Sequence, residues 1–160
     1  MLYDQTFATW TDIVNKTHDA EFDFVAFDNK GQIGIFSTFN RAYRPDCVTD
    51  SLELFLSLDK LIETLPETTT AISAMFDKDI SAFISWKKYA SQGFFAYDNQ
   101  DVHRSDNDKQ NQYDIIYRPA VPVYAHEVYG LNDYSSIIPY FDLTFGDNIK
   151  FDKLKTALVD

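Results

Sequence analysis

Residues 22–39 read FDFVAFDNKGQIGIFSTF, two Phe-rich runs separated by a polar turn that carries a glycine. Few local structures suit that pattern. Phe, Val and Ile fit a pleated, half-buried surface. Asp28-Asn29-Lys30-Gly31 is a turn, and Gly31 takes a positive φ without steric penalty. FDFVAFD (22–28) and IGIFSTF (33–39) are therefore expected to pair as a β-hairpin with a four-residue loop. Both faces of the first strand are largely apolar, which places the hairpin mid-sheet. Asp23 is the exception, an acid inside a very apolar strand. It reads as an edge-facing or hydrogen-bonded carboxylate.

The rest of the chain alternates helical and extended patterns. Phe7, Trp10, Ile13 and Val14 share one helical face over 6–16. Asp50 has the character of an N-cap, with Glu53 in capping-box position. The helix it opens carries Leu52, Phe55, Leu56, Leu58, Leu61 and Ile62 and stops before Pro66. Ile72, Phe76, Ile80, Phe83 and Ile84 resume a helical period that runs to Gly93, a C-terminal cap. FFAYD (94–98) and YDIIYRP (113–119) read as strands. Between them, 99–112 is polar and aperiodic, a length that usually marks a functional or mobile connection. VPVYAHEVYG suits a sheet edge, and a small helix is expected from about Asp152. Together these predict an α+β fold, a single domain over 1–160 with a mainly antiparallel sheet and three to four helices.

Charge and motifs narrow the function classes. Fourteen basic against 25 acidic residues give a net charge of −11. That argues against direct nucleic-acid binding and against anionic membranes. No apolar run approaches the ~18 residues of a membrane span, and the N-terminus lacks a signal-peptide pattern. The single cysteine, Cys47, cannot form an internal disulfide, so a cytoplasmic setting is expected. Phosphate-loop, dinucleotide, nucleophile-elbow and zinc motifs are absent, so no cofactor and no catalytic residue is assigned. Asp98, Asp101, His103, Asp106 and Asp108 fail the calcium-hand template, because Asn111 and Tyr117 stand where Gly and Glu are required. No metal is assigned there. Tyr113, Tyr117, Tyr124, Tyr129, Tyr134 and Tyr140 crowd the C-terminal third, and tyrosine is enriched at protein interfaces.

Several signatures follow one another: FDFVAFDNKGQIGIFST, YASQGFFAYD, YDIIYRPAVPVYAHEV and IIPYFDLTFGDNIKF. Their order resembles small bacterial immunity-type proteins of toxin–immunity systems and their uncharacterised relatives. Thr38–Pro45 keeps the Pro of the corresponding turn in that group and lacks its Gly. The resemblance implies a non-enzymatic protein-binding module, an immunity-like inhibitor of a bacterial toxin. Its partner is then expected to be a basic protein of nuclease-like character. The expected contact surface is the acid-rich segment and its flank: Asp98, Asp101, Asp106, Asp108 and Tyr113. Two other classes remain open. One is an acidic DNA mimic that blocks a nucleic-acid-binding protein. The other is a small-ligand-binding or enzymatic domain with an aromatic pocket that uses Asp23 or His126.

Overall fold

The expected hairpin is the centre of the sheet. In the computed structural model, β1 (Glu21–Phe27) and β2 (Ile33–Phe39) run antiparallel, with Phe27 opposite Ile33 and Glu21 opposite Phe39. The structure describes residues 2–3, 9–17, 20–39, 42–75, 84–99 and 111–159. Within these, β3 (Ala71–Ser73), β4 (Phe95–Asp98), β5 (Gln112–Pro119), β6 (Tyr140–Phe141), β7 (Ile149–Lys150) and β8 (Leu158–Val159) complete the strands. The order is β3-β5-β4-β2-β1-β6-β8, with β7 paired separately to β5. The helices are α1 (Trp10–Asn15), α2 (Leu52–Thr64), α3 (Ile84–Ser91) and α4 (Phe151–Ala157). This is an α+β fold whose sheet is mostly antiparallel. Two pairs are parallel: β2 beside β4, and β1 beside β6 at Phe27 and Tyr140. A parallel neighbour needs a long crossover, and the stretch carrying α2, β3 and α3 supplies it between β2 and β4.

Three sequence expectations change. The helix from Ile72 to Gly93 does not start at Ile72: Ala71–Ser73 is a strand, with Ala71 opposite Pro119 and Ser73 opposite Tyr117. Residues 76–83 lie outside the described residues, and Ile84–Ser91 is helical as expected. The N-cap of α2 is Ser51 rather than Asp50; the Ser51 hydroxyl accepts from the Leu54 N–H at 3.3 Å. The VPVYAHEVYG segment contains a 3-10 turn at Ala125–Glu127 and touches the hairpin through one bridge, Gln32 to Tyr124.

Aromatic stacking runs across the middle of the sheet. Phe24 lies opposite Phe36 and stacks on it at 5.1 Å; Phe36 lies opposite Tyr97 and stacks at 4.6 Å. Tyr113 and Phe145 meet Phe36 edge-on at 5.1 and 5.5 Å. Cross-strand aromatic pairs of this kind are a main source of sheet stability. Phe145 sits so close to Gly34 that a β-carbon there would come within 2.8 Å of its ring. Gly93, with φ +98, turns α3 into β4 against Val123. Among the described residues, no helix is long and apolar enough to cross a membrane.

The hairpin turn is tied to the C-terminal segment by one carboxylate. Asp28 is fully buried. Its Oδ1 accepts from the N–H groups of Lys30 and Gln32 at 2.9 and 2.8 Å, and its Oδ2 accepts from the Phe145 N–H at 3.0 Å. Hydrogen bonds to a charged acceptor contribute more than neutral ones, and orphaned buried donors are costly. Asp28→Ala is expected to lower the free energy of unfolding by about 3 kcal/mol or more. Asp28→Asn, which retains one acceptor, should lose less; urea denaturation at neutral pH measures both.

Candidate functional site

Strand register assembles a polar row that no single segment contains. Asp23 on β1 is opposite Ser37 on β2, and Ser37 is opposite Asp98 on β4. Asp98 is in turn opposite Asp114 on β5. Directly opposed residues project from the same face, so these side chains share one side of the sheet. The Cα atoms of Asp23 and Asp98 stand two strand spacings apart, roughly 10 Å.

Over one end of this row lies an open depression of about 250 Å³, lined by Glu21, Phe22, Asp23, Ser37, Thr38, Ser85, Trp86 and Asp98. Strands β1, β2 and β4 supply most of the wall, and the first turn of α3 supplies Ser85 and Trp86. Helix α3 also holds the innermost acid: the Tyr89 hydroxyl donates to Asp23 Oδ2 at 2.7 Å. Gln92, just past α3, donates to the carbonyls of Ile62 and Leu65 at 2.8 and 2.9 Å and so fixes α3 against the end of α2.

Burial dominates the ionisation of this acid. Desolvation pushes the Asp23 carboxyl up to about 6, against the opposing effect of hydrogen bonds from Ser37 and Tyr89. Burial also raises the Tyr89 phenol, helped by the negative charge of Asp23. Asp59, on α2, is raised by burial too, although its Oδ1 accepts from the Leu2 N–H at 2.5 Å. The depression thus contains a carboxyl that changes charge near neutral pH, the range in which it is able to exchange a proton with a ligand.

The residues expected from sequence fall into three groups. Asp98 lies at this depression. Asp101, Asp106 and Asp108 lie outside the described residues. Tyr113 is a correction: its side chain is 0% exposed and packs among Phe24, Phe36 and Phe151. Its hydroxyl donates to the Tyr43 carbonyl at 2.8 Å and is hydrogen-bonded with the Thr38 hydroxyl at 2.7 Å, so it belongs to the core and not to a contact surface. The strand alternation that carries Asp114 to the polar side carries Tyr113 to the aromatic side. The other tyrosines divide likewise: Tyr117 is buried, Tyr124 and Tyr134 are half-buried, and Tyr129 is 98% exposed. His126 is exposed, stacks on Tyr124 at 5.9 Å, and lies apart from the depression.

Sequence reasoning missed Glu21, Trp86 and Ser37. Asp23 showed only as an anomalous acid in an apolar strand, and the signal that unites these residues is register. A second cavity, about 470 Å³, lies between Pro45–Cys47 and the β6–β8 edge. It offers one carboxylate, Asp46, and the Cys47 thiol, which burial raises and so keeps protonated. Among the described residues no group of three or more His, Cys, Asp or Glu is placed to hold a metal ion. Comparison with protein-family models, with curated proteins and with solved structures finds no match.

The raised Asp23 carboxyl makes stability depend on pH. From about pH 4 to 6 the folded chain keeps a proton that the unfolded chain has released, so stability falls as pH rises through this window. Asp23→Asn removes that loss. Relative to the parent, the variant should gain on the order of 2 kcal/mol between pH 4.5 and pH 7.5, measured by urea denaturation at both pH values.

Proposed function

We propose that the chain is a non-enzymatic protein-binding module, an immunity-like inhibitor that occupies a basic surface of a bacterial toxin. The observation that carries this reading is the depression itself: Glu21, Asp23 and Asp98 open on it, and no Lys, Arg or His is among its described lining residues. From Asp98 the chain enters the segment that holds Asp101, Asp106 and Asp108, so the acid-rich stretch begins at the rim of an anionic recess. A net charge of −11 adds long-range attraction for a basic partner. Steering of this kind raises the association rate and disfavours acidic competitors. A nuclease cleft built to hold phosphates offers the complementary surface.

A second reading is favoured by the ionisation of Asp23. A carboxyl that titrates near neutrality inside a recess bordered by Trp86 also suits a small-ligand site. The two readings differ in what the acid-rich segment does, since only the protein-binding reading requires it.

The test is binding and inhibition with a purified basic nuclease toxin encoded beside this chain. The expected result is stoichiometric inhibition, with an association rate that falls steeply as salt rises. Changing Asp98, Asp101, Asp106 and Asp108 together to Lys should slow association by about tenfold or more at low salt. Absence of inhibition by the parent chain, or a rate unaltered by the four substitutions, would overturn the corresponding part of the proposal.

A further inference from the structure

We infer that the depression between β1, β2, β4 and α3 is a receptor for one organic cation, the guanidinium or alkylammonium end of a basic side chain. The inference rests on the protein-binding reading for the source of that side chain, not for the chemistry of the recess.

The shape and lining of the recess carry the argument. A cavity of about 250 Å³ is bordered by carboxylates on two sides, with Glu21 and Asp23 on β1 and Asp98 on β4. A metal ion draws its oxygen ligands to within ~2–2.6 Å. These acids are not gathered that closely, since no metal-holding group of acids is present among the described residues. A guanidinium is different: it is planar, bears donors on several edges, and spans carboxylates that face each other across a gap. The hydroxyls of Ser37 and Ser85 offer further acceptors on the same wall. Trp86 borders the recess, and indole is the aromatic group best suited to a cation. A neutral or anionic guest finds no complementary charge among these residues.

Asp23 gives the site a signature that a general acidic surface lacks. Its described hydrogen-bond partners, Tyr89 and Ser37, are both neutral. The charged groups that act on it are Asp59 from α2, which raises its pKa, and the terminal ammonium, which lowers it. Glu21 on its own strand and Asp98 on β4 share the recess with it. A cation seated there favours the ionised carboxylate, so binding expels the proton that Asp23 holds below about pH 6.

The probe is Nα-acetyl-arginine amide, titrated into the full chain by calorimetry and by the Trp86 indole signal in NMR, with Nα-acetyl-glutamine amide as the neutral control. Saturable binding of the arginine probe alone is expected, about fourfold tighter at pH 7.5 than at pH 5.5. Calorimetry in buffers of different ionisation heat should show proton release near pH 6 and none near pH 8. Asp23→Asn should remove the proton release, while Trp86→Leu and the exposed Glu21→Gln should each weaken binding severalfold; these two keep the test available if Asp23→Asn does not fold. Equal responses to both probes, or binding in the parent without proton release, would overturn the inference. If the probe binds as described and the toxin is not inhibited, the inhibitor reading falls and the cation site stands. If the toxin is inhibited but the probe does not bind, the cation site falls alone.

Discussion

The Asp28 carboxylate accepts hydrogen bonds from the Lys30 and Gln32 N–H groups in its own turn and from the Phe145 N–H, 117 residues further along the chain. A turn residue with this chemistry usually closes only its own loop. Here one oxygen shapes the loop and the other anchors the C-terminal segment across it. The Asn29 N–H donates to the Leu143 carbonyl at 2.9 Å, and the Phe27 N–H to the Pro139 carbonyl at 2.9 Å, which continues the seam beside β1. Phe145 is thereby set on Gly34, against Phe36 and Tyr97, and Tyr97 Oη accepts from the Gly146 N–H at 2.8 Å. The aromatic side of the central sheet is sealed from the turn outward. The opposite side carries the buried Val25 and Ile35 and, toward one end, the polar row with α3 against it.

The sequence carried the hairpin in full because its information is local: alternating strand formers, a turn, and a second run of strand formers. Its central place was also legible, from apolar residues on both faces of β1. The parallel pairing of β2 with β4 was not, since it depends on a crossover of more than fifty residues and on burial that only the finished sheet provides. Ala71–Ser73 shows the competition directly. Apolar spacing from Ile72 onward fits a helix, but pairing with β5 at Pro119, Arg118 and Tyr117 sets the local backbone instead. Three residues of ladder outweigh a periodicity when they extend an existing edge.

The candidate site was legible only in pieces. Asp23 stood out as a misplaced acid and Asp98 as the first of an acid-rich stretch, 75 positions apart with nothing in their neighbourhoods to connect them. Ser37 is the residue between them, and its role is positional: it occupies the register that brings both acids to one face. Tyr113 illustrates the reverse case. Composition alone cannot separate a tyrosine that packs from one that faces a partner. Its place one residue before Asp114 sends it to the aromatic side, where Phe24 and Phe36 enclose it.

A carboxyl at position 23 works against the fold that holds it. It lies in the central strand pair, burial raises its pKa, and among the described residues its neighbours on α2 and in the recess are further acids rather than a compensating base. Near neutral pH the folded chain bears the penalty of a desolvated charge, which a neutral polar residue hydrogen-bonded to Tyr89 would avoid. An arriving cation removes the same penalty. Stability and binding are therefore linked through one group: whatever the cation contributes by favouring the ionised form is also its contribution to holding the fold above pH 6. The recess is least satisfied when empty at neutral pH. That places the local conflict between residue and strand at the point where the chain meets its ligand, which is where such conflicts are expected to persist.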